Sequence, residues 1–224
     1  MQDFNTDLKK AIALPVFDYI AKAADKLSLE TYVIGGYVRD FLLERLKSKD
    51  IDVVAVGSGI DLANEVAEML PAKTKVQVFK NYGTAMLKYK ELEIEFVGAR
   101  KESYVEHSRN PMVDRGSLQD DQNRRDFTIN AMAISLNSSD YGVLLDPFDG
   151  ITDLQNKIIK TPLDPDITFS DDPLRMMRAI RFSSQLGFEI ETSSLVSITK
   201  NAKRIQIISE ERIVDELHKI MLSD

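Results

Sequence analysis

The chain of 224 residues contains no cysteine. Disulfides and thiolate-bound zinc are therefore excluded, and a reducing cytoplasm fits. Histidine is almost missing too: only His107 and His218 occur, far apart. That separation argues against a histidine-based metal cluster, so any metal must sit on carboxylates. No apolar run approaches the roughly 20 residues that a membrane helix needs. The N-terminus lacks the basic-then-apolar pattern of a secretory signal. Neither an internal repeat nor a low-complexity segment is found. An excess of positive charge is also lacking. The net charge of −7 argues against a chain that is basic all over, although nucleic-acid binding needs only a local basic face.

What is present is enough for a core. Apolar residues make up 43% of the chain, and the length suits one large domain or one and a half. Helical periodicity runs over residues 5–28, with Pro15 near the first turn or at a kink. A strand is expected over 31–34, a helix over 36–47, a strand over 51–56 and an amphipathic helix over 60–70. Strands then alternate over 76–79, 84–90 and 92–99. From 100 to 123 periodicity vanishes, and a long structureless, functional stretch is expected there. A short helix leads into a strand over 124–136, and a short strand follows at 144–146. Residues 151–160 and 171–224 read as helices, with no further strand. The expected fold class is α+β: a mixed sheet with helices, then an all-α part. The division falls at 1–148 and 149–224, with Pro162 and Pro165 in the link.

One stretch carries the densest chemistry. Tyr32 to Asp40 reads as strand, Gly35-Gly36 and helix, and Asp50-Ile51-Asp52 then opens a second strand. Two glycines at a strand-to-helix turn let a bound group approach the backbone, and a helix start offers N–H donors to an anion. Asp50 and Asp52 leave the same face of a strand. Paired oxygen ligands suit Mg²⁺. A tight turn beside a polar strand end would look the same. Arg39, one turn into the helix, leans toward the same anion or pairs with Asp40 or Glu44. Glu91, Glu93 and Glu95 alternate with apolar residues, as the wet face of any half-buried strand does; two-metal chemistry usually needs a third carboxylate from another strand, and the pattern alone does not choose among the three.

Two later stretches are equally dense. In Arg124-Arg125-Asp126-Phe127-Thr128-Ile129-Asn130, Asp126 fits a helix N-cap, and the arginines and Asn130 suit ribose and phosphate. In Asp171-Asp172-Pro173-Leu174-Arg175, Pro173 suits a first helical position and Asp172 its cap. Arg175, Arg178 and Arg181 recur every three residues, as a solvated face or as a rail for phosphates. Asp172 and Arg175, three apart on one helix, also suit base selection. Cytosine and adenine both present an amino donor beside a ring-nitrogen acceptor, so a carboxylate and a guanidinium take both. Uracil and guanine reverse the pattern and leave buried groups unmatched, costing roughly 1–3 kcal/mol each.

Together these stretches resemble the class II tRNA nucleotidyltransferase and bacterial poly(A) polymerase family. The Gly-Gly-x-Val-Arg-Asp pattern with Asp-x-Asp matches Gly35, Gly36, Val38, Arg39, Asp40, Asp50 and Asp52. Glu95 before Arg100 matches the third carboxylate. Arg124 to Ala131 matches a ribose-contacting element, and Asp146 to Leu154 the linker. Asp171, Asp172 and Arg175 match the nucleotide-template motif, with Asp171 in place of the usual Glu. Glu211, Arg212 and Glu216 match the last motif. Glu106 to Arg109 fits a mobile-loop element with Glu for Asp. The resemblance implies a polymerase-β-like head, a helical neck and a missing C-terminal body and tail.

It also implies addition of C and A from CTP and ATP to the tRNA 3′ end, with two Mg²⁺ ions held by Asp50 and Asp52 and Glu95 nearby. Gly35, Gly36 and Arg39 would hold the triphosphate. Arg125, Asp126 and Asn130 would serve the ribose, and Asp172 and Arg175 the base, with Arg178 supporting phosphates or template. Neither DNA nor a membrane is an expected partner. The rival readings are poly(A) addition, CC-only or A-only addition, and a non-catalytic nucleotide- or RNA-binding module.

Overall fold

The computed structural model describes residues 8–45, 49–105 and 108–223. A 3-10 turn at Leu8–Lys10 precedes helix α1 (Pro15–Leu27). The single helix expected over 5–28 is thus shorter. Leu14 is extended at φ −67° and ψ 136°, as a residue before proline prefers, and Pro15 then opens the helix where its missing N–H costs nothing. Strand β1 (Thr31–Ile34) runs into α2 (Gly36–Leu42). That helix stops short of 47: Glu44 takes a left-handed φ of 55°, and 46–48 lie outside the described residues. Next come β2 (Asp50–Ala55), α3 (Gly59–Met69), β3 (Gln77–Phe79), β4 (Thr84–Tyr89) and β5 (Leu92–Gly98).

The expected structureless stretch at 100–123 is corrected. It forms β6 (Arg100–Val105), β7 (Ser108–Arg115) and α4 (Leu118–Asn123), and β6 pairs with β7 in a sheet of their own. Strands that pair only with each other need no alternating apolar face, which is the signal by which a strand is read. Glu106 and His107 lie outside the described residues. Strands β8 (Ala133–Ser135) and β9 (Leu144–Leu145) follow, then α5 (Gly150–Asn156) and β10 (Ile158–Ile159). The helix expected over 151–160 ends early because Lys157 turns left-handed at φ 57°. The rest is α6 (Pro165–Asp171), α7 (Leu174–Leu186), β11 (Glu189–Ile190), α8 (Thr192–Asn201) and α9 (Glu210–Met221). Strands β10 and β11 pair in parallel, a correction to the expected all-helical end; two residues each are too few to show a period.

The chain divides into two compact units. The first draws on residues up to Lys101, Asp114–Asp121 and Met132–Pro147; the second takes Glu102–Val113, Gln122–Ala131 and the chain from Phe148. In the first, one sheet runs in the order β3-β4-β5-β2-β1-β8-β9. Only β2 and β5 pair in parallel, so the sheet is mixed. One face is apolar throughout: Ile51 and Val53 on β2, Ile94 and Phe96 on β5, Ala85 and Leu87 on β4 are all buried. Helix α3 packs on β4 and β5, and α1 packs on α3. The other face is apolar only in part, where Tyr32, Ile34, Val54, Ala99, Leu118 and Ala133 form a second cluster. Beyond that cluster the strands carry carboxylates.

In the second unit, segment 122–131 is fastened to the chain around 153–160. The Thr128 N–H donates to the Lys160 carbonyl at 2.9 Å, and its hydroxyl donates to Asp153 at 2.7 Å. Helix α7 packs against α9, and α6 against α8.

Candidate active site

In the first unit the strand register assembles the carboxylates. Asp52 on β2 stands opposite Glu95 on β5, and Asp50 opposite Glu93. Since side chains alternate, all four leave the same face. The three glutamates then separate by their partners. Glu91 pairs with Lys49 at 2.8 Å and Glu93 with Lys88, whereas Glu95 is the one abreast of Asp52. The donor set is hard oxygen, which suits a magnesium-like ion. Among the described residues no three acidic or histidine side chains already converge in metal-holding geometry; the register supplies the carboxylates in adjacent positions.

The double glycine sits at the same end of the sheet. Ile34 pairs with Asp52, so Gly35 lies one residue beyond that pair. Gly35 has φ 85° and ψ −139°, a region open in practice only to glycine. Its N–H donates to the Met132 carbonyl at 3.3 Å, so its contribution is shape rather than a donor. A Cβ on Gly36 would stand 3.6 Å from a terminal guanidinium nitrogen of Arg39. The Arg39 side chain therefore folds back over the turn, as an anion-binding arginine would. It is 8% exposed and held by Asp40, with its Nε at 2.8 Å from the carboxylate. Tyr37, on the same short helix, is buried and donates its hydroxyl to the Ala11 carbonyl at 2.7 Å. Burial pushes its pKa up to about 12. Nothing local in the sequence pointed to that tether.

In the second unit Asp126 is a hub. One of its oxygens accepts from the Phe127 N–H at 2.8 Å and from the Asn130 amide at 3.0 Å. The other takes the Arg178 fork at 2.7 and 2.6 Å. Burial pushes the Asp126 carboxyl up. The charge of Arg178, the hydrogen bonds from Asn130 and Arg178 and the charge of Arg175 together overcome it and hold its pKa at about 2. The short 3-10 turn Thr128–Asn130 has Phe127 at its N-cap, so Asp126 binds an arginine instead of capping a helix.

Helix α7 carries the arginine stripe, and the stripe is partnered from within the unit. Arg175 is buried and donates to the carbonyls of Thr168 at 3.3 Å and Arg124 at 2.6 Å. Arg181 lies 2.8 Å from Glu216, and Arg178 lies 3.9 Å from it on the other side. The guanidinium groups of Arg178 and Arg181 also lie against the Phe182 ring, at 5.4 and 4.4 Å from its centroid respectively. Glu216, on α9, is 4% exposed. The solvated-face reading of the stripe is thereby corrected: Arg178 pairs with Asp126, Arg181 with Glu216, and Arg175 is held by backbone carbonyls, partners that sequence spacing could not reveal. Asp172 accepts from the Leu174 N–H at 3.2 Å, as a capping side chain does, and faces Arg212 at 3.6 Å. Arg125 is half-buried in the same unit.

Three comparisons bear on this arrangement. Residues 31–160 match the family model described as the poly A polymerase head domain. Residues 187–224 match one described as a probable RNA and SrmB-binding site of polymerase A. The chain is 40% identical over 199 residues to the A-adding tRNA nucleotidyltransferase of Aquifex aeolicus, covering 88% of this chain and 23% of that protein. It is 38% identical to the CCA-adding enzyme of Anoxybacillus flavithermus, covering 86% and 46%. A crystal structure of a tRNA nucleotidyltransferase complexed with a primer tRNA and an incoming ATP analog superposes with a TM-score of 0.78 at 36% identity, over 89% of this chain and 55% of that one. The chain thus spans about a quarter to about half of the length of these relatives.

Proposed function

The chain belongs to the family of the poly A polymerase head domain, and from that premise we propose that it transfers a nucleotide from CTP or ATP to a tRNA 3′-hydroxyl, releasing pyrophosphate. The observation that carries the proposal is the register of Asp52 with Glu95, and of Asp50 with it on one face, beside the Gly35–Gly36 turn. Asp50 and Asp52 would hold two Mg²⁺ ions with Glu95 adjacent. Bound there, the ions would favour ionisation of the attacking hydroxyl and offset charge on the leaving pyrophosphate. The Gly35–Gly36 turn would admit the triphosphate, and Arg39 would counter its charge.

In the second unit the chemistry is selection. Asp172 would accept from the amino group of C or A, and Arg175 would donate to the ring nitrogen. Arg175 already has two carbonyl partners, which fix its orientation in advance of any base. Asp126, locked by Arg178, would orient Asn130 toward the ribose alongside Arg125. Arg178 would then act through Asp126, supporting the template, not by touching a phosphate. No helix among the described residues is long and apolar enough to cross a membrane, and a cytoplasmic site of action fits.

Because the Aquifex relative is named as A-adding, addition of A alone is the second reading. The test offers two tRNAs, one ending before CCA and one ending in CC, each with CTP alone, ATP alone or both. Full addition predicts CTP incorporation on the first and completion with both. An A-only enzyme extends just the second, by one residue. A poly(A) enzyme ignores CTP and adds a run of A. No turnover with either tRNA, in the whole protein, would leave a binding module.

A further inference from the structure

The open face of the sheet does not end at the carboxylates. The row that starts with Asp52 and Glu95 can be followed outward: Glu95 pairs with Met86, and Met86 with Gln77 on the edge strand β3. By alternation Gln77 and Phe79 share the carboxylate face. The edge is uncovered. Val78 is 39% exposed, Phe79 42% and Tyr82 72%. Tyr82 ends a 3-10 turn, Lys80–Tyr82, and Gly83 then takes a left-handed φ of 65°. A Cβ at Gly83 would meet nothing within 4 Å, so the glycine serves the turn that projects Tyr82, not a close approach.

The charge here departs from that of the chain. From Pro71 to Lys90 there are five lysines and no acid, in a chain of net charge −7. Lys88 is engaged by Glu93, and Lys90 lies 5.4 Å over the Tyr89 ring. Lys73, Lys75 and Lys80 are exposed and form no ion pair among the described residues. Exposed aromatics among unpaired cations are what single-stranded nucleic acid binds: bases stack on the rings, and phosphates meet the charges without sequence preference. We infer that the β3–β4 rim, through Lys73, Lys75, Phe79, Lys80 and Tyr82, is a docking ledge for single-stranded RNA leading to the carboxylates. The choice of RNA as the strand rests on the proposed nucleotidyl transfer; the binding surface itself stands on charge and exposure.

The probe is a fluorescently labelled single-stranded RNA oligonucleotide, titrated with the protein at several salt concentrations. Replacing Lys73, Lys75 and Lys80 together by Gln should lower the log–log salt slope by about 2, since each phosphate neutralised on a single strand contributes about 0.7. Tyr82→Ala should weaken binding about fivefold or more through lost stacking. Because Tyr82 buries little, that variant tests the ledge even if the triple variant folds poorly. Lys22→Gln on α1 should change nothing. Unchanged slope and affinity in both ledge variants would overturn the inference, as would loss of self-association with RNA affinity retained, which would make the rim an edge for another strand. CTP binding, measured on the same proteins, separates the two claims: if it is absent from the wild type while the ledge variants still lose RNA, the proposed transfer fails and the ledge stands.

Discussion

Replacing Asp126 by Asn changes one charge at nearly constant shape. The native carboxylate is held at about 2 against an ordinary 3.8, so folding depresses its pKa. A depressed carboxylate contributes stability above its unfolded pKa and loses it as the pH falls through its folded one. At 1.36 kcal/mol per pKa unit the depression corresponds to about 2 kcal/mol at neutral pH. Leaving a buried partner uncompensated adds a penalty, and breaking a fully buried pair costs about 3–5 kcal/mol. Here Arg178 keeps 33% of its side chain in solvent and has Glu216 at 3.9 Å, which places Asp126→Asn at the lower end, about 2–3 kcal/mol. Urea titrations followed by far-ultraviolet circular dichroism should show this loss at pH 7. Linkage predicts that the pKa-dependent part of the gap shrinks by about half at pH 3, falls to a small remainder near pH 2 and closes below it. Equal stability of the two proteins at pH 7, or a gap that does not change with pH, would refute the claim that Arg178 and Asn130 hold an ionised Asp126.

Other perturbations follow from the same geometry. Tyr37→Phe removes only the hydroxyl that anchors α2 to Ala11 and should cost about 1–2 kcal/mol in the same titration. Since Tyr32 and Tyr37 are both pushed up to about 12, the stability they contribute is present below pH 10 and lost toward pH 12; Tyr37→Phe should therefore unfold less steeply with base than the wild type. Gly59→Ala would bring a Cβ within 2.8 Å of the Val97 backbone. It should force α3 off β5 at a cost of about 1–3 kcal/mol, and an unshifted urea midpoint would contradict that packing. Glu216→Gln should destabilise α7 against α9 by leaving Arg181 and Arg178 with less negative charge. A double-mutant cycle with Arg181→Met checks the coupling, and additivity would show that the pair does not interact.

The local parts of this molecule were legible in its sequence. A strand, two glycines, a helix and Asp-x-Asp lie within about 20 residues, and the structure has strand, turn, helix and strand there, because each signal acts over a few residues. The register that sets Asp52 beside Glu95 was not legible: it depends on which strands pair, and β2 and β5 are separated by α3 and a hairpin. Non-local pairing also explains the arginine stripe. Its spacing was visible, but Asp126 and Glu216 reach it from distant segments, so two of the three arginines on a helix face that looked basic are paired within the unit. The β6–β7 hairpin stayed hidden because it belongs to no larger sheet. The short helix α2 was overextended because a left-handed Glu44, which ends it, has no sequence signature as glycine would.

The most direct test of the central claim is single-turnover nucleotide incorporation by Asp52→Asn beside the wild type, on a tRNA ending before CCA, with CTP binding measured in parallel without metal. The account predicts that incorporation is abolished while CTP still binds, because Asp52 serves the reacting groups and the Gly35–Gly36 turn admits the nucleotide. Normal turnover by Asp52→Asn would contradict it.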